Sequence, residues 1–264
     1  MAGLIFILIL VILACLSDVI FDYDEQIIAM NNSQRMIAPC WEHPFGTDYM
    51  GRDVFYRVIY GTRYSLIVGV LSILIASVIG AAFGAIAGYK GGWIENLIMR
   101  LRDMFSAIPS TLLAICLCAA FGQGLTNLIL AMGISSAAVF VTYTRSAVLQ
   151  VRGCEYIEAA RAIGATDKDI IMKHLIPNSL SPMIVQITVR IGGAITGASA
   201  LSFIGLGVPL PTPEWGAMLS DGRAYLRNTP WMTLFPGLAI LCTVVAFNLV
   251  GDGVRDALDP KLKN

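Results

Sequence analysis

Long stretches without a charged residue constrain the fold of this chain more than any other feature. Positions 64–89 are 26 consecutive uncharged residues, and about 20 apolar residues in a helix cross the roughly 30 Å hydrocarbon core of a bilayer. Charged residues make up only 14% of the 264 residues, against about 25% in soluble globular chains. The sequence therefore predicts an all-α integral membrane protein.

The uncharged stretches divide into six transmembrane helices. Positions 104–144 are too long for one crossing, and Gly122 and Gly124 mark a tight turn inside them. The N-terminal apolar run resembles the core of a signal peptide, but neither Lys nor Arg precedes it, which favours an uncleaved helix. The predicted segments are a first helix at 1–21, an extracytoplasmic segment at 22–60, a membrane core at 61–252 with helices at about 64–89, 104–121, 125–144, 182–207 and 232–251, and a cytoplasmic tail at 253–264.

Basic residues in the loops predict the orientation in the membrane. If the N-terminus is cytoplasmic, the inner loops hold 11 Lys and Arg residues and the outer loops hold 6. The positive-inside rule then favours both termini in the cytoplasm. Trp215 and Trp231, at the ends of the last outer loop, are typical of anchors at the membrane interface. With a formal net charge of zero and no basic stripe, the chain is not expected to bind nucleic acid.

The longest inner loop, positions 146–181, is predicted to form two short helices. Gly164 is a typical C-terminal stop for the first. Thr166, with an acidic residue three positions later, is typical of a capping box that starts the second, and Pro177 is expected to end it. The predicted helices are Glu155–Ile163 and Asp167–Leu175.

The outer segment before the second transmembrane helix is expected to hold a short amphipathic helix. Asp53 is suited to cap it, and it would run over Val54–Tyr60. Its apolar residues share one side with Arg57 opposite, a pattern that suits a helix lying in the interface.

The inner loop resembles the EAA loop of ABC importer permeases. Glu158-Ala159-Ala160 is followed by Gly164 and then by His174-Leu175-Ile176-Pro177, and His at that place is typical of the peptide branch of these permeases. Three further stretches resemble the same branch, namely His43–Leu66, Leu201–Gly216 and Phe247–Pro260. From about residue 43 onward the chain is similar to the C-type permease subunit of dipeptide, oligopeptide and nickel ABC importers.

This resemblance implies the type I transmembrane domain of ABC importers, placed in a bacterial or archaeal cytoplasmic (inner) membrane among membrane lipid. It implies a homologous second permease, two ABC ATPase subunits on the inside and an extracytoplasmic substrate-binding protein. The chain lacks a Gly-x-x-x-x-Gly-Lys-Ser/Thr loop, so ATP and magnesium are expected on the ATPase subunits and no cofactor in this chain. Short peptides are the expected substrates, with nickel or another small solute as the alternative.

The resemblance assigns the coupling of ATP hydrolysis to transport to six residues of the inner loop: Glu158, Ala159, Ala160, Gly164, His174 and Pro177. The small residues are expected to let the loop approach the wall of a groove on the ATPase. Glu158 is expected to pair with a basic residue of the ATPase, or with Arg161 or Arg145 of this chain. The alternative is an ordinary solvated loop without a coupling role.

Two transmembrane helices are rich in small residues. Helix 2 carries glycines at four-residue spacing, which suits close packing within the chain or against the sister permease; they are Gly80, Gly84 and Gly88. In helix 5, Gly193 and Gly197 suggest a wall of the substrate pathway, or alternatively tight packing. Arg190 either faces an aqueous cavity and meets a substrate carboxylate, or extends its guanidinium to the headgroups from a helix that begins nearby.

Other classes of membrane protein receive less support from the residues. A membrane enzyme needs acid, base or nucleophile groups at matched depth, and the apolar stretches contain no His, Asp or Glu pair. A channel needs a filter or a charged ring, and neither pattern is present. His43 and His174 have no partners at metal-ligand spacing, so no metal site is expected.

Overall fold

The described part of the protein is almost entirely helical. The structure is a computed structural model that describes residues 1–258, without the side chains of Arg161 and Ser181. Its α-helices are α1 (Ala2–Ile20), α2 (Val54–Lys90), α3 (Gly92–Ser106), α4 (Ser110–Phe121), α5 (Leu125–Arg152), α6 (Glu155–Ala162), α7 (Asp167–Asp169), α8 (Ile176–Phe203), α9 (Trp215–Gly222) and α10 (Trp231–Leu258).

Within residues 1–258, five helices are long and apolar enough to cross a membrane. They are α1, α2, α5, α10 and the Pro182–Phe203 part of α8. The pair α3 and α4 provides a sixth candidate span, bent by 83°. The predicted all-α membrane fold is confirmed.

Helix α2 begins earlier than the sequence predicts. Its 37 residues make it about 55 Å long at 1.5 Å per residue, and the predicted separate interfacial helix at 54–60 is wrong because these residues form its first turns. The helix continues through Gly61, where a Cβ would lie 2.0 Å from the carbonyl oxygen of Pro213, so the close approach of the last outer loop requires glycine. Asp53 caps the helix as expected and accepts two backbone N–H groups of the first turn.

The predicted single helix at 104–121 is also wrong, because the chain bends between α3 and α4. Pro109 directly precedes α4. Proline lacks the N–H that a continuing helix needs, and it disfavours helical geometry at the residue before it, Ile108. The 12 residues of α4 span about 18 Å, which is too short to cross a hydrocarbon core of about 30 Å alone.

Pro177 does not end the second helix of the inner loop, in contrast to the prediction. The helical path continues from α7 through a wide π-helical turn, Ile170–Leu175, directly into α8. Pro177 lies in the first turn of α8, a position where the missing N–H costs little. The inner loop is therefore joined to the fifth span by continuous helix rather than by a flexible link.

Two helices extend beyond their predicted ends on the inner side. Helix α5 continues to Arg152, past the predicted end at 144. Helix α10 continues to Leu258, so the first part of the predicted tail at 253–264 is helical, and 259–264 lie outside the described residues.

Helix α2 occupies the centre of the bundle and contacts α1, α5 and α8. The main core contains Ile73 of α2, Phe140 of α5 and Ile195 of α8, all almost fully buried. Because α2 also contacts α3 and the π turn of the inner loop, it connects the two ends of the molecule.

Candidate functional site

A left-handed glycine forms the bend of the inner loop, which we call the elbow (residues 153–175). Gly164 has φ +85°, a conformation that costs other L-residues roughly 1–2 kcal/mol. Ala165 N–H donates to the Ala160 carbonyl at 3.0 Å, the 6→1 bond of a Schellman motif with Gly164 at C′. A Cβ added at Gly164 would meet no heavy atom within 4 Å, so backbone conformation rather than crowding requires glycine here.

The second half of the elbow begins with a side-chain cap. The Thr166 hydroxyl accepts from Asp169 N–H at 3.2 Å, which is the N-cap bond of the predicted capping box, and it donates to the Asp169 carboxylate at 2.5 Å. Hydrogen bonds from Lys173 and Thr166 lower the pKa of Asp169. Local side-chain contacts therefore cap the start of this helix.

One face of the elbow packs on the membrane helices and the other is open. Ile157, Ala160, Ile170 and Leu175 are buried in a cluster with residues of α2 and α5. Ala160 is therefore covered by its own chain. This differs from the expectation that its small side chain faces a groove on the ATPase. The open face carries the exposed residues Glu158, Ala159, Ile163, Gly164 and Met172.

Polar contacts attach the elbow to the inner end of α2. The Tyr89 hydroxyl donates to the Asp167 carboxylate at 2.6 Å, and Lys90 forms an ion pair with the same carboxylate. Beside these contacts, Arg152 of α5 donates to the Gly88 carbonyl at 3.2 Å, which joins α5 to the same end of α2. The elbow therefore moves with α2 unless these contacts break.

The expected pairing of Glu158 with Arg145 is not present. Arg145 instead binds Glu95 of α3, with Nε donating to Oε1 at 2.6 Å. The side chain of Arg161, the other expected partner, lies outside the described part of the structure. Glu158 is exposed and remains accessible to a partner subunit.

His174 and Pro177 lie where the elbow joins α8. His174 is half-buried, its ring lies 6.5 Å from the ring of Tyr156, and its carbonyl accepts from Asn178 Nδ2 at 2.6 Å. Pro177 is exposed. These two residues mark the exit of the elbow rather than its open face.

The three glycines of α2 lie against α5. A Cβ at Gly80 would lie 2.2 Å from Phe140 Cβ, and a Cβ at Gly84 would lie 2.6 Å from the Val141 carbonyl oxygen. A Cβ at Gly88 would lie 2.9 Å from a methyl group of Val148. The glycine stripe thus makes the α2–α5 contact within the chain, which leaves it covered and inaccessible to a sister permease.

The residues expected to line a pathway meet at one cavity. The cavity has a volume of about 760 Å³, and residues of α2, α4, α5 and α8 line it, including Arg190, Gly193 and Gly197. Gly193 is exposed, and a Cβ there would meet no atom within 4 Å. A Cβ added at Gly197 would lie 2.9 Å from the end of the Met132 side chain.

Arg190 does not sit at the start of its helix. Helix α8 begins at Ile176, so the alternative in which a helix begins near Arg190 is wrong. Arg190 lies eight residues past Pro182, about 12 Å along the helix axis. Its guanidinium carbon lies 5.8 Å from the centre of the Tyr143 ring, within the range of a cation–π contact.

A buried polar cluster on the outer side was not identified from the sequence. Arg52 donates to Asp48 at 2.6 Å and to Asp221 at 3.1 Å, which ties the first outer segment to the last outer loop. Arg57, expected on an exposed side, is 1% exposed and donates to the Ile27 carbonyl at 2.9 Å. The four-residue spacing of Asp48 and Arg52 was a usable clue, whereas Asp221 is distant in the sequence.

Trp215 is part of this outer region. The prediction that it anchors the chain at the membrane interface is wrong. It is fully buried, and its indole N–H donates to the Val58 carbonyl of α2 at 2.9 Å. Glu214, also buried, accepts from the backbone N–H groups of Gly216 and Ala217 at 3.0 and 2.9 Å. The last outer loop, α9 and the start of α2 therefore pack together at the outer end of the molecule.

The family model for binding-protein-dependent transport system inner membrane components matches residues 80–264. The chain belongs to this family. It is a multi-pass permease subunit of the inner membrane, and members of the family are not themselves enzymes.

Relatives extend the likeness across the chain. A dipeptide transport system permease protein, DppC, of Alkalihalophilus pseudofirmus is 48% identical over 234 residues, 89% of this chain and 77% of that protein. A glutathione transport system permease protein, GsiD, of Pectobacterium atrosepticum is 43% identical over 263 residues, 100% of this chain and 87% of that protein. An inward-facing structure of the MetNI methionine ABC transporter superposes with a TM-score of 0.64 at 19% identity, covering 78% of this chain and 98% of that one, which shows the fold.

Proposed function

We propose that this chain forms half of the translocation pathway of an ATP-driven importer for di- and oligopeptides. A homologous permease forms the other half, an extracytoplasmic binding protein delivers the substrate, and two separate ATPase subunits bind magnesium and ATP. The names of the dipeptide and glutathione permeases support the substrate class. The distribution of basic residues supports a cytoplasmic location of both termini.

The open face of the elbow is the observation that carries the coupling role. Ile163 is 86% exposed and Met172 is 56% exposed, on a segment whose other face is packed and ion-paired to α2. Exposed apolar side chains on a rigid support are typical of a protein-binding surface. An ATPase subunit that holds this face displaces α2 and α8 together, because both are joined to the elbow by fixed contacts.

Nickel receives less support than peptide as the substrate. The cavity lining is mostly apolar, its polar groups are hydroxyl groups, an amide and the cationic Arg190, and none of the described lining residues is acidic. A divalent cation favours carboxylate, imidazole or thiolate ligands. A peptide with a free carboxylate suits this lining better.

Gly164 provides the test of coupling. Gly164→Val is expected to abolish uptake while the reconstituted complex still hydrolyses ATP, because a β-branched residue strongly disfavours φ +85°. Gly164→Asn is the matched control, since Asn tolerates the left-handed region, and it should keep most of the uptake. Substrate uptake and ATP hydrolysis are measured in the same proteoliposomes. Normal uptake per ATP in the Val variant would contradict the coupling role.

A further inference from the structure

The membrane cavity contains a cation that has no counter-charge. Arg190 carries the one charged side chain among the described residues that line it, and no carboxylate in residues 1–258 forms an ion pair with it. Its Nε is buried and has no hydrogen-bond partner within the described structure. A charged side chain at membrane depth is costly and is usually functional, and a buried donor without an acceptor adds to that cost.

The neighbours of Arg190 stabilise the charge without using its donors. The Tyr143 ring lies 5.8 Å from the guanidinium carbon, and a cation–π contact of this kind leaves the N–H groups free. Gln186 lies one turn earlier on α8 and also lines the cavity, as do the hydroxyl-bearing residues Ser135 and Ser136 of α5. The wall thus presents a positive charge beside additional polar groups. None of the described lining residues carries a carboxylate that would compete with a ligand for the guanidinium.

The next turns of α8 leave room for a ligand beside the guanidinium. Gly193 and Gly197 follow at three and seven positions, on the same side of the helix as Arg190, and both line the cavity. A Cβ at Gly193 would meet nothing within 4 Å. The cavity volume of about 760 Å³ is within the range of roughly 300–1,000 Å³ typical of small-ligand sites.

We propose that this cavity contains a carboxylate subsite for the substrate in transit. The Arg190 guanidinium donates paired hydrogen bonds to the C-terminal carboxylate of the peptide, a geometry that the planar guanidinium matches. Tyr143 holds the guanidinium in place, and the Gln186 side-chain amide donates a further hydrogen bond to the same carboxylate. The identification of the carboxylate with that of a peptide rests on the proposed function, whereas the anion subsite itself rests on the cavity.

Transport of a matched pair of peptides tests the subsite. The probes are alanyl-phenylalanine and its C-terminal amide, taken up by proteoliposomes that contain the whole importer and the same binding protein. Arg190→Gln should lower uptake of the free acid about tenfold or more, the range of a charge-assisted hydrogen bond, and leave uptake of the amide nearly unchanged. Arg190→Lys should retain much of the uptake of the acid, because it keeps the charge.

Arg100→Gln is the matched control, because it removes an exposed arginine of α3 away from the cavity, and it should change neither peptide. Selectivity of the binding protein cancels when variants are compared with the wild type. If Arg190→Gln lowers uptake of both peptides equally, or lowers uptake of neither, the proposed subsite is overturned.

A chemical probe separates the subsite from the peptide assignment. Gly193→Cys is introduced into a chain whose six native cysteines are replaced by alanine, and it is modified with an anionic and a cationic methanethiosulfonate. The ratio of the anionic to the cationic rate should fall about tenfold when Arg190→Gln is added, because the local positive potential is removed. An unchanged ratio would overturn the anion subsite. A shifted ratio in a complex whose wild type imports neither peptide would support the subsite and refute the peptide function alone.

Discussion

At the scale of single residues, Glu214 shows how an ionisable group stabilises the outer end of the molecule. It is 1% exposed and caps α9 through two backbone N–H groups, and the Ser65 hydroxyl donates to it at 3.3 Å. Burial raises the pKa of its carboxyl above the ordinary value of 4.5. The native state therefore keeps a proton at a pH where the unfolded state has released it.

This difference in proton binding predicts a pH dependence of stability. As pH rises from 4.5 towards the higher native pKa, the unfolded state binds fewer protons than the native state, so the free energy of unfolding falls. Each unit by which the native pKa exceeds the unfolded pKa lowers the free energy of unfolding by up to about 1.4 kcal/mol. Glu214→Gln cannot lose a proton and should lack this slope when thermal unfolding of the purified complex is followed across the range.

Glu42→Gln supplies the control for this measurement, since Glu42 is an exposed glutamate of the first outer segment, whereas Glu214 lies buried in the last outer loop. It should show the same pH slope as the wild type. Parallel stability curves for the wild type and Glu214→Gln would mean that burial of Glu214 does not raise its pKa.

At the scale of elements, the contact between α2 and α5 depends on glycine. A Cβ at Gly80 would lie 2.2 Å from Phe140 Cβ and 2.6 Å from its backbone carbonyl carbon. Gly80→Ala is therefore expected to lower the free energy of unfolding by about 1–3 kcal/mol, as overpacking does in other cores. Thermal unfolding of the complex in detergent measures the loss.

Gly253→Ala is the matched change in an open part of a helix, because no heavy atom lies within 4 Å of its added Cβ. It should be neutral or slightly stabilising, as alanine favours helix over glycine. Equal stability of both variants would show that α2 and α5 separate without cost.

The sequence predicts which helices exist better than where they end. Charge-free length identified the spans, because a bilayer demands about 20 apolar residues in each. The length of an uncharged stretch does not indicate how far a helix extends beyond the membrane. The sequence analysis therefore missed the early start of α2 and the helix that continues through Pro177 into α8. Pro109 was a usable sign of the bend between α3 and α4.

The candidate site was predictable to a similar degree. Gly164 and the Thr166 cap follow from local rules for helix ends. Burial of Ala160 and the pairing of Arg145 with Glu95 depend on tertiary packing, and spacing along the chain does not reveal them.

At the scale of the whole molecule, α2 connects the outer polar cluster to the elbow. At its outer end Trp215 donates to the Val58 carbonyl and Arg57 to the Ile27 carbonyl. At its inner end Tyr89 donates to Asp167. Because α2 is one uninterrupted helix of 37 residues, the proposed displacement of the elbow would reach the outer loops without an intermediate joint.

This mechanism requires the elbow to lie in the cytoplasm and the outer cluster on the opposite side, which labelling of single cysteines determines. Cys40 is exposed in the first outer segment, and Ile163→Cys places a thiol on the open face of the elbow, where the native side chain is 86% exposed. In intact cells a membrane-impermeant maleimide should label the chain that retains only Cys40. It should label the Ile163→Cys chain only after permeabilisation, and the cysteine-free chain under neither condition. Labelling of Ile163→Cys in intact cells would place the elbow outside, where no ATP-driven subunit could reach it.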